Sequence, residues 1–354
     1  MAELPAPPEP AARKSAARKP VVRSGRDRSQ RIRHAVQALF AGIAVAVGTE
    51  FFLWVREVAS GAAGGRPRPA GIEAWLPIAG LMNVRYWAAT GRMPAVHPAA
   101  MVLLLAFAAV AVLFRKAFCS WICPIGTLSE RLGAIGRRLF GRNFRLPRIV
   151  DVPLRAIKYL LLGFFLWAIA RMSADSIAAF MGSDYGLIAD VKLLDFFRTL
   201  GRSGLATIGL LALTSVLVRD FWCRYLCPYG ALMGLLALAS PARIRRRADA
   251  CIDCGKCAAA CPASLPVDRR SSVASTECTG CFSCVAACPV RDALALSLPR
   301  RRALSPATVA ATIVLAVAGA VALARATGHW ESRVPRSAYE RLVPRPGETS
   351  HPIP

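Results

Sequence analysis

Apolar residues in this chain gather into five long blocks separated by polar, arginine-rich stretches. The blocks run at about 33–55, 95–114, 156–170, 203–218 and 303–324. A helix that crosses a bilayer needs roughly 20 mainly apolar residues. The pattern therefore predicts about five transmembrane helices, of which the shorter third and fourth also fit buried helices. The polar stretches differ in charge. Residues 1–33, 115–155 and 219–303 together hold 31 lysines and arginines, whereas 56–97, 172–202 and 326–354 hold 12. Basic loops stay on the cytoplasmic side. The bias places the N-terminus and residues 219–303 inside and the C-terminal tail outside.

Composition sharpens this picture. The chain carries a formal charge of +25 with 55% hydrophobic residues. That pairing fits a protein held in a lipid bilayer with basic inner loops. The arginines are scattered over many loops rather than set in one stripe, so nucleic acid is not expected as a partner. Residues 1–32 are rich in Pro, Ala and Arg and lack an apolar core. They read as a disordered basic arm at the cytoplasmic leaflet, not a signal peptide, and the first helix is read as retained.

The twelve cysteines all fall between residues 119 and 288, on the predicted cytoplasmic side. Thiols stay reduced there, so metal or redox chemistry is expected in place of disulfides. Eight lie in "CIDCGKCAAACP", from Cys251, and "CTGCFSCVAACP", from Cys278. Each reads C-x2-C-x2-C-x3-C-P, the signature of bacterial two-cluster ferredoxins. In that arrangement three close thiolates hold one cubane and the fourth reaches its neighbour. Cluster one is then expected on Cys251, Cys254, Cys257 and Cys288, and cluster two on Cys278, Cys281, Cys284 and Cys261. Pro262 and Pro289 turn the chain away, and Gly255 and Gly280 admit backbone close to sulfur. A zinc ribbon uses C-x2-C pairs and fits interleaved four-cysteine runs poorly.

The last four cysteines belong to a repeat. "VLFRKAFCSWICPIGTL" (112–128) aligns without gaps on "VLVRDFWCRYLCPYGAL" (216–232), at an offset of 104. Each copy follows a helix predicted to run from outside to inside. Parallel repeats are related by an axis along the membrane normal. Such an axis brings Cys119, Cys123, Cys223 and Cys227 together at the cytoplasmic face. On a helix, residues i and i+4 share a side, and Pro124 and Pro228 either end that helix or begin the next. Three readings stand: buried cysteines beside a turn, redox-active dithiols, or a further iron–sulfur cluster or other metal held by all four. Arg115, Arg219 and Arg224 lie close enough to stabilise thiolates or to anchor helix ends at headgroups.

These features define an α-helical integral membrane protein with an internal two-fold repeat and an inserted cytoplasmic α+β ferredoxin domain. The expected division is a basic arm (1–32), a four-helix membrane domain (33–240), a two-cluster ferredoxin domain (241–302), a fifth helix (303–325) and an outer tail (326–354). The tail, rich in Pro and Arg, reads as an extended docking segment or as disorder.

With "CSWICP" and "CRYLCP" followed by the tandem ferredoxin runs, the chain resembles the membrane-bound polyferredoxins of the NapH, NosR and FixG/CcoG type, over about residues 34–303. "GIEAWLPIAGLMNVRYW" (71–87), leading to His97–Pro98, is similar to their first outer loop. The resemblance implies a bacterial inner-membrane protein that passes electrons between the quinone pool, or a membrane redox site, and a respiratory or anaerobic reductase system in the membrane or periplasm. NapH-like members are associated with quinol, NosR-like members with nitrous-oxide reductase, and FixG-like members with copper handling for an oxidase. The fifth apolar block departs from the short NapH pattern. The alternative is a copper reductase or assembly factor, since soft thiolates select Cu(I).

Other cofactors find little support. No C-x-x-C-H motif marks a c-type haem, and no glycine-rich nucleotide loop is present. The four histidines are His34, His97, His329 and His351, with His34 and His97 expected at opposite faces. A quinone site needs an acid or base beside an apolar wall. Glu50, Glu73, His97, Asp184 and Asp190 are the candidates, Glu50 standing out because it interrupts an apolar helix. Trp75, Tyr86 and Trp87 are expected to form an interfacial belt.

Overall fold

The structure, a computed structural model, describes residues 27–61 and 65–351. The expected basic arm lies outside the described residues as far as residue 26, and the first helix already begins at Ser29. The first half comprises α1 (Ser29–Ala59), a 3-10 turn (Ala70–Trp75), α2 (Pro77–Thr90), α3 (Pro98–Phe114), a π-turn (Phe118–Ile122) and α4 (Pro124–Phe140). The second half comprises α5 (Arg148–Arg171), α6 (Ala174–Gly182), α7 (Asp184–Leu187), α8 (Ala189–Arg198), α9 (Arg202–Leu217), a π-turn (Trp222–Leu226) and α10 (Pro228–Leu236). A small unit follows: β1 (Arg243–Arg246), α11 (Lys256–Ala260), β2 (Ser272–Val273), α12 (Ser283–Ala286) and β3 (Leu294–Ser297). Helices α13 (Pro306–Ala326) and α14 (Arg336–Leu342) end the chain.

The protein is mostly helical, with three helices long and apolar enough to span a membrane: α1, α5 from Ile149, and α13. A fourth arises if α8 and α9, bent by 87° at their junction, count as one. Five separate spans of full length are therefore not present among the described residues. The shortfall lies in α3 and α9. Helix α3 has 17 residues, about 25 Å of rise against a hydrocarbon core of about 30 Å. Its sequence is apolar all round, and such a helix is one that neighbours surround. Ala99, Val110 and Ala111 are wholly buried, with α2, α10 and α13 packed about it. Helix α1 instead exposes Leu39, Ile43 and Val45, as a lipid-facing helix does.

Two sets of contacts give α3 its direction. After α13, the Arg333 amide donates to Ala95 O, 2.9 Å away, just before α3. Past the other end of α3, the Lys116 amide donates to Cys278 O at 3.2 Å, and Gln30 at the start of α1 donates to Cys281 O at 2.9 Å. Helix α3 thus runs opposite to α1 and α13, from the face of the tail to the face of the small unit.

The tail is not extended. Helix α14 buries Tyr339 and Leu342 against Phe51, Trp54, Ile188 and Val191. Tyr339 meets Trp54 edge-on, with centroids 5.2 Å apart; such a pair contributes about 1 kcal/mol beyond its burial. Three apolar residues on one side of a single helical turn outweigh the surrounding Pro and Arg. In the small unit, strand β1 lies between β2 and β3, all antiparallel. Ile244 pairs with Val273 on one side and Leu296 on the other. All three are buried in one core with Cys257, Cys278 and Cys284.

Candidate iron–sulfur centres

The two four-cysteine runs fold alike. In each, the residue before the second cysteine and the residue after it hold left-handed backbone: Asp253 and Gly255 in one, Gly280 and Phe282 in the other. Phe282 is an unusual residue for that conformation. Its ring is buried and meets Trp121 at 6.1 Å, packing that offsets the strain. Gly280 has a second constraint, since a Cβ there would stand 2.7 Å from Phe114 O at the end of α3.

Two cavities lie inside these loops. One is lined by Cys251, Cys254, Cys257 and Cys288. The other is lined by Cys261, Cys278, Cys281 and Cys284. Each run therefore lends its fourth cysteine to the other run's cavity. Burial pushes the Cys261 thiol up to about 11 and raises those of Cys257, Cys278, Cys284 and Cys288. Thiols of this kind lose their protons to a bound metal, not to solvent. Four thiols around a cavity suit a cubane held by cysteine.

The repeated C-x3-C-P motifs also fold alike, though not as α-helix. Cys119 and Cys223 sit within the π-turns, which close through Cys123 N to Phe118 O at 2.9 Å and Cys227 N to Trp222 O at 3.0 Å. Cys123 and Cys227 then cap α4 and α10, and Pro124 and Pro228 open those helices. The widened turn is a device frequent at functional sites. Gly126 keeps the first turn closed, because a Cβ there would stand 2.1 Å from Cys119 O. Burial drives Cys119 up to about 12 and Cys123 up to about 11, and Cys223 rises well above its ordinary value for the same reason. The thiols also raise one another across the repeat, Cys227 acting on both Cys119 and Cys123. A nucleophilic dithiol needs a lowered thiol pKa, whereas burial raises Cys119, Cys123 and Cys223.

Among the described residues no three Cys, His, Asp or Glu side chains converge on one metal ion. A single ion draws its thiolates in to about 2.3 Å, whereas a cubane spreads them over four irons.

The two cysteine regions are clamped together. Besides the Lys116 amide on Cys278 O, Ser120 Oγ donates to Thr279 O at 2.7 Å and Trp121 Nε1 to Gly280 O at 3.2 Å. Arg115 is wholly buried, and its guanidinium donates to Ala237 O and Ser275 O. It reaches the backbone before Cys278 rather than the headgroups. Lys116, also buried, lies among Cys119, Cys223 and Cys227, 3.7 Å from Glu277; Lys158 approaches the same carboxylate at 2.5 Å. Burial lowers the Lys116 ammonium's affinity for its proton, but these neighbouring negative groups outweigh it and raise the value. Arg219 and Arg224 pair with Asp220 and Asp151 while lining the cavity that Cys119, Cys223 and Cys281 also line. Lys116 and Glu277 carried a sequence signal, being ionisable residues close to cysteine motifs. Lys158 gave only the weaker sign of a charge inside an apolar block.

At the opposite end of α3 the quinone candidates separate. Glu50 is exposed on α1, and Asp184 pairs at the surface with Arg341 at 3.1 Å. Glu73, His97 and Asp190 are buried together around Arg68, which donates to Glu73 at 2.8 Å and to Asp190 at 2.6 Å. His97 Nε2 lies 2.9 Å from Gly186 O and its Nδ1 3.2 Å from Glu73. Arg68 Nη2 also lies 3.3 Å from Nδ1, so that nitrogen has both a donor and a carboxylate beside it. Burial opposes a charge on the ring, but Glu73 outweighs it and raises His97, while Arg68 and His97 hold Glu73 below its ordinary range. The four side chains satisfy one another, and none of the cavities described here is lined by them. Trp75 and Trp87 are exposed. Arg68, in a Pro-rich loop, had no sequence signal.

Residues 96–143 and 200–247 each match the family described as a 4Fe-4S binding domain, and residues 243–289 match a 4Fe-4S dicluster domain. The first two matches are offset by the repeat length. YccM of Escherichia coli (strain K12), to which an electron-transport role is ascribed, is 48% identical over 327 residues, covering 90% of this chain and 91% of its own. The ferredoxin-type protein NapH of the same organism is 27% identical, over 45% of this chain and 54% of its own. The regulatory protein NosR of Pseudomonas aeruginosa is 33% identical, over 46% of this chain and 22% of its own. No solved structure matches.

Proposed function

This chain belongs to the membrane-bound polyferredoxins, and we propose that it is a three-centre electron wire running from the membrane to the cytoplasmic surface. In this reading Cys119, Cys123, Cys223 and Cys227 hold a third cluster. Cys278, Cys281, Cys284 and Cys261 hold the middle one, and Cys251, Cys254, Cys257 and Cys288 hold the outermost. Bound clusters supply one-electron chemistry, iron changing valence inside a fixed thiolate cage.

The observation that carries the reading is the clamp between residues 114–121 and 275–281. Its backbone hydrogen bonds keep the four-cysteine region against the Cys278 loop, and a cavity lined by Cys119, Cys223 and Cys281 runs between them. Cys254 is exposed at the far side, where a partner can reach it. The antiparallel run of α3 between the two faces supports five crossings, α3 being largely surrounded by its neighbours and exposing only a stripe that includes Leu105 and Leu113. The charge bias supports an inner-membrane setting, with the small unit cytoplasmic and the tail periplasmic. Electrons would pass between the quinone pool or another membrane redox site and a respiratory or anaerobic reductase system.

Iron and sulfide counted on anaerobically purified protein test this. We expect about twelve irons per chain, falling to about eight in a Cys119→Ser/Cys223→Ser variant. About eight in both, with copper bound in proportion to the four cysteines, would replace the third cluster by a copper site. If quinols fail to reduce the clusters in membranes, the quinone pool is not the electron source.

A further inference from the structure

A cleft of about 790 Å³ opens beside Cys261, between the small unit and the ends of the membrane helices. Its walls are the α4–α5 connection, the first turns of α5, the end of α9 and the loop at 259–270. Seven arginines line it against one carboxylate, Asp151. That carboxylate is already used: Arg224 approaches it at 2.8 Å, and Arg155 and the Tyr225 hydroxyl donate to it. The buried Nε–H groups of Arg155, Arg219 and Arg224 have no acceptor among the described residues. Burial and the neighbouring charge of Arg219 push Arg137 below its ordinary value. The cleft is thus a concentration of positive charge with unmet donors.

Its rim is apolar in part. Phe144 and Val152 line it and are exposed, and their sequence neighbours Leu139, Phe140 and Ile149, at the end of α4 and the start of α5, are exposed as well. A soluble anion or an acidic protein has no use for such a rim. An amphiphile does: its phosphate meets the arginines and its chains follow the rim and the outer surface of α5. Basic pockets between membrane helices on the cytoplasmic side bind anionic headgroups in this way.

We propose that this cleft binds the headgroup of an anionic phospholipid. The lipid would tie the Cys261 loop to the membrane helices, since Arg145 already donates across the cleft to Ala259 O at 3.1 Å. The inference depends on α5 and α9 lying in the membrane, not on what Cys119, Cys123, Cys223 and Cys227 hold.

Native mass spectrometry of the full-length protein in detergent, titrated with phosphatidylglycerol or phosphatidylcholine, tests it. Phosphatidylglycerol is expected to bind at least tenfold more tightly. Arg142 and Arg270, both exposed in the cleft, are the residues to change. Arg142→Gln/Arg270→Gln should weaken phosphatidylglycerol binding roughly 30-fold, at about fivefold per arginine, and Arg142→Lys/Arg270→Lys should retain most of it. Unchanged iron content in both variants shows that they fold. Equal binding of the two lipids, or a double variant that binds as the parent does, overturns the proposal. So does displacement of phosphatidylglycerol by millimolar inorganic phosphate, which would mark a soluble-anion site.

Discussion

Lys116 offers a direct electrical test of the four-cysteine centre. Its ammonium is buried among Cys119, Cys223 and Cys227, so Lys116→Met removes one positive charge from beside that centre. At about 8 Å and an effective dielectric of about 20, a unit charge is worth about 2 kcal/mol. For a one-electron couple that is about 90 mV. Losing the cation favours the oxidised, less negative state, so the potential should fall by that order. The variant should still fold, because Lys158 keeps Glu277 paired at 2.5 Å while Lys116 stands at 3.7 Å. The middle cluster, next to Glu277, should move less, and the outermost cluster not at all. A redox titration followed by electron paramagnetic resonance reads all three, and Lys116→Arg should stay near the parent. A common shift of every signal, a rise, or no change would refute the idea that Lys116 acts locally on a redox centre.

Three further outcomes follow from the same geometry. Gly126→Ala should lose the four-cysteine centre, about four irons per chain, because its Cβ would stand 2.1 Å from Cys119 O. Gly230→Ala, whose nearest neighbours are at 3.5 Å, should keep it; equal iron in both variants would contradict this. The foursome around His97 should give stability a plateau in pH. Glu73, held low, contributes fully above about 4.5 and loses that contribution as pH falls through its depressed value. His97, held high, contributes fully below about 6.5 and loses it as pH rises through its raised value. Thermal unfolding in detergent across pH should show both limbs. Glu73→Gln should cost about 3–5 kcal/mol, remove the acid limb and draw the alkaline limb to lower pH; an unchanged profile would dismiss the pairing.

Local spacing by itself determined much of this protein. Two interleaved C-x2-C-x2-C-x3-C-P runs and apolar blocks between basic loops are each visible within a few dozen residues, and the repeat at an offset of 104 shows by aligning two short stretches. Cluster chemistry, duplication and a membrane setting could therefore be read directly. What tertiary structure decided concerns contacts made across long separations. Apolar sequence alone does not say whether a helix faces lipid or other helices, so nothing in α3 marked it as the helix that its neighbours largely surround. The i, i+4 pattern of Cys119 and Cys123 implied an α-helical turn, but the proline after each pair and the close approach at Gly126 widen it to a π-turn. Glu50 stood out as a lone carboxylate and lies exposed, while Glu73, His97 and Asp190 found a common partner in Arg68. The tail, unpromising in composition, docks on Trp54 through Tyr339. Lys116, Lys158 and Glu277 meet only because the small unit folds back onto the end of α3. Lys158 and Glu277 lie 119 residues apart and Arg68 and Asp190 122, and no local pattern carries such pairings.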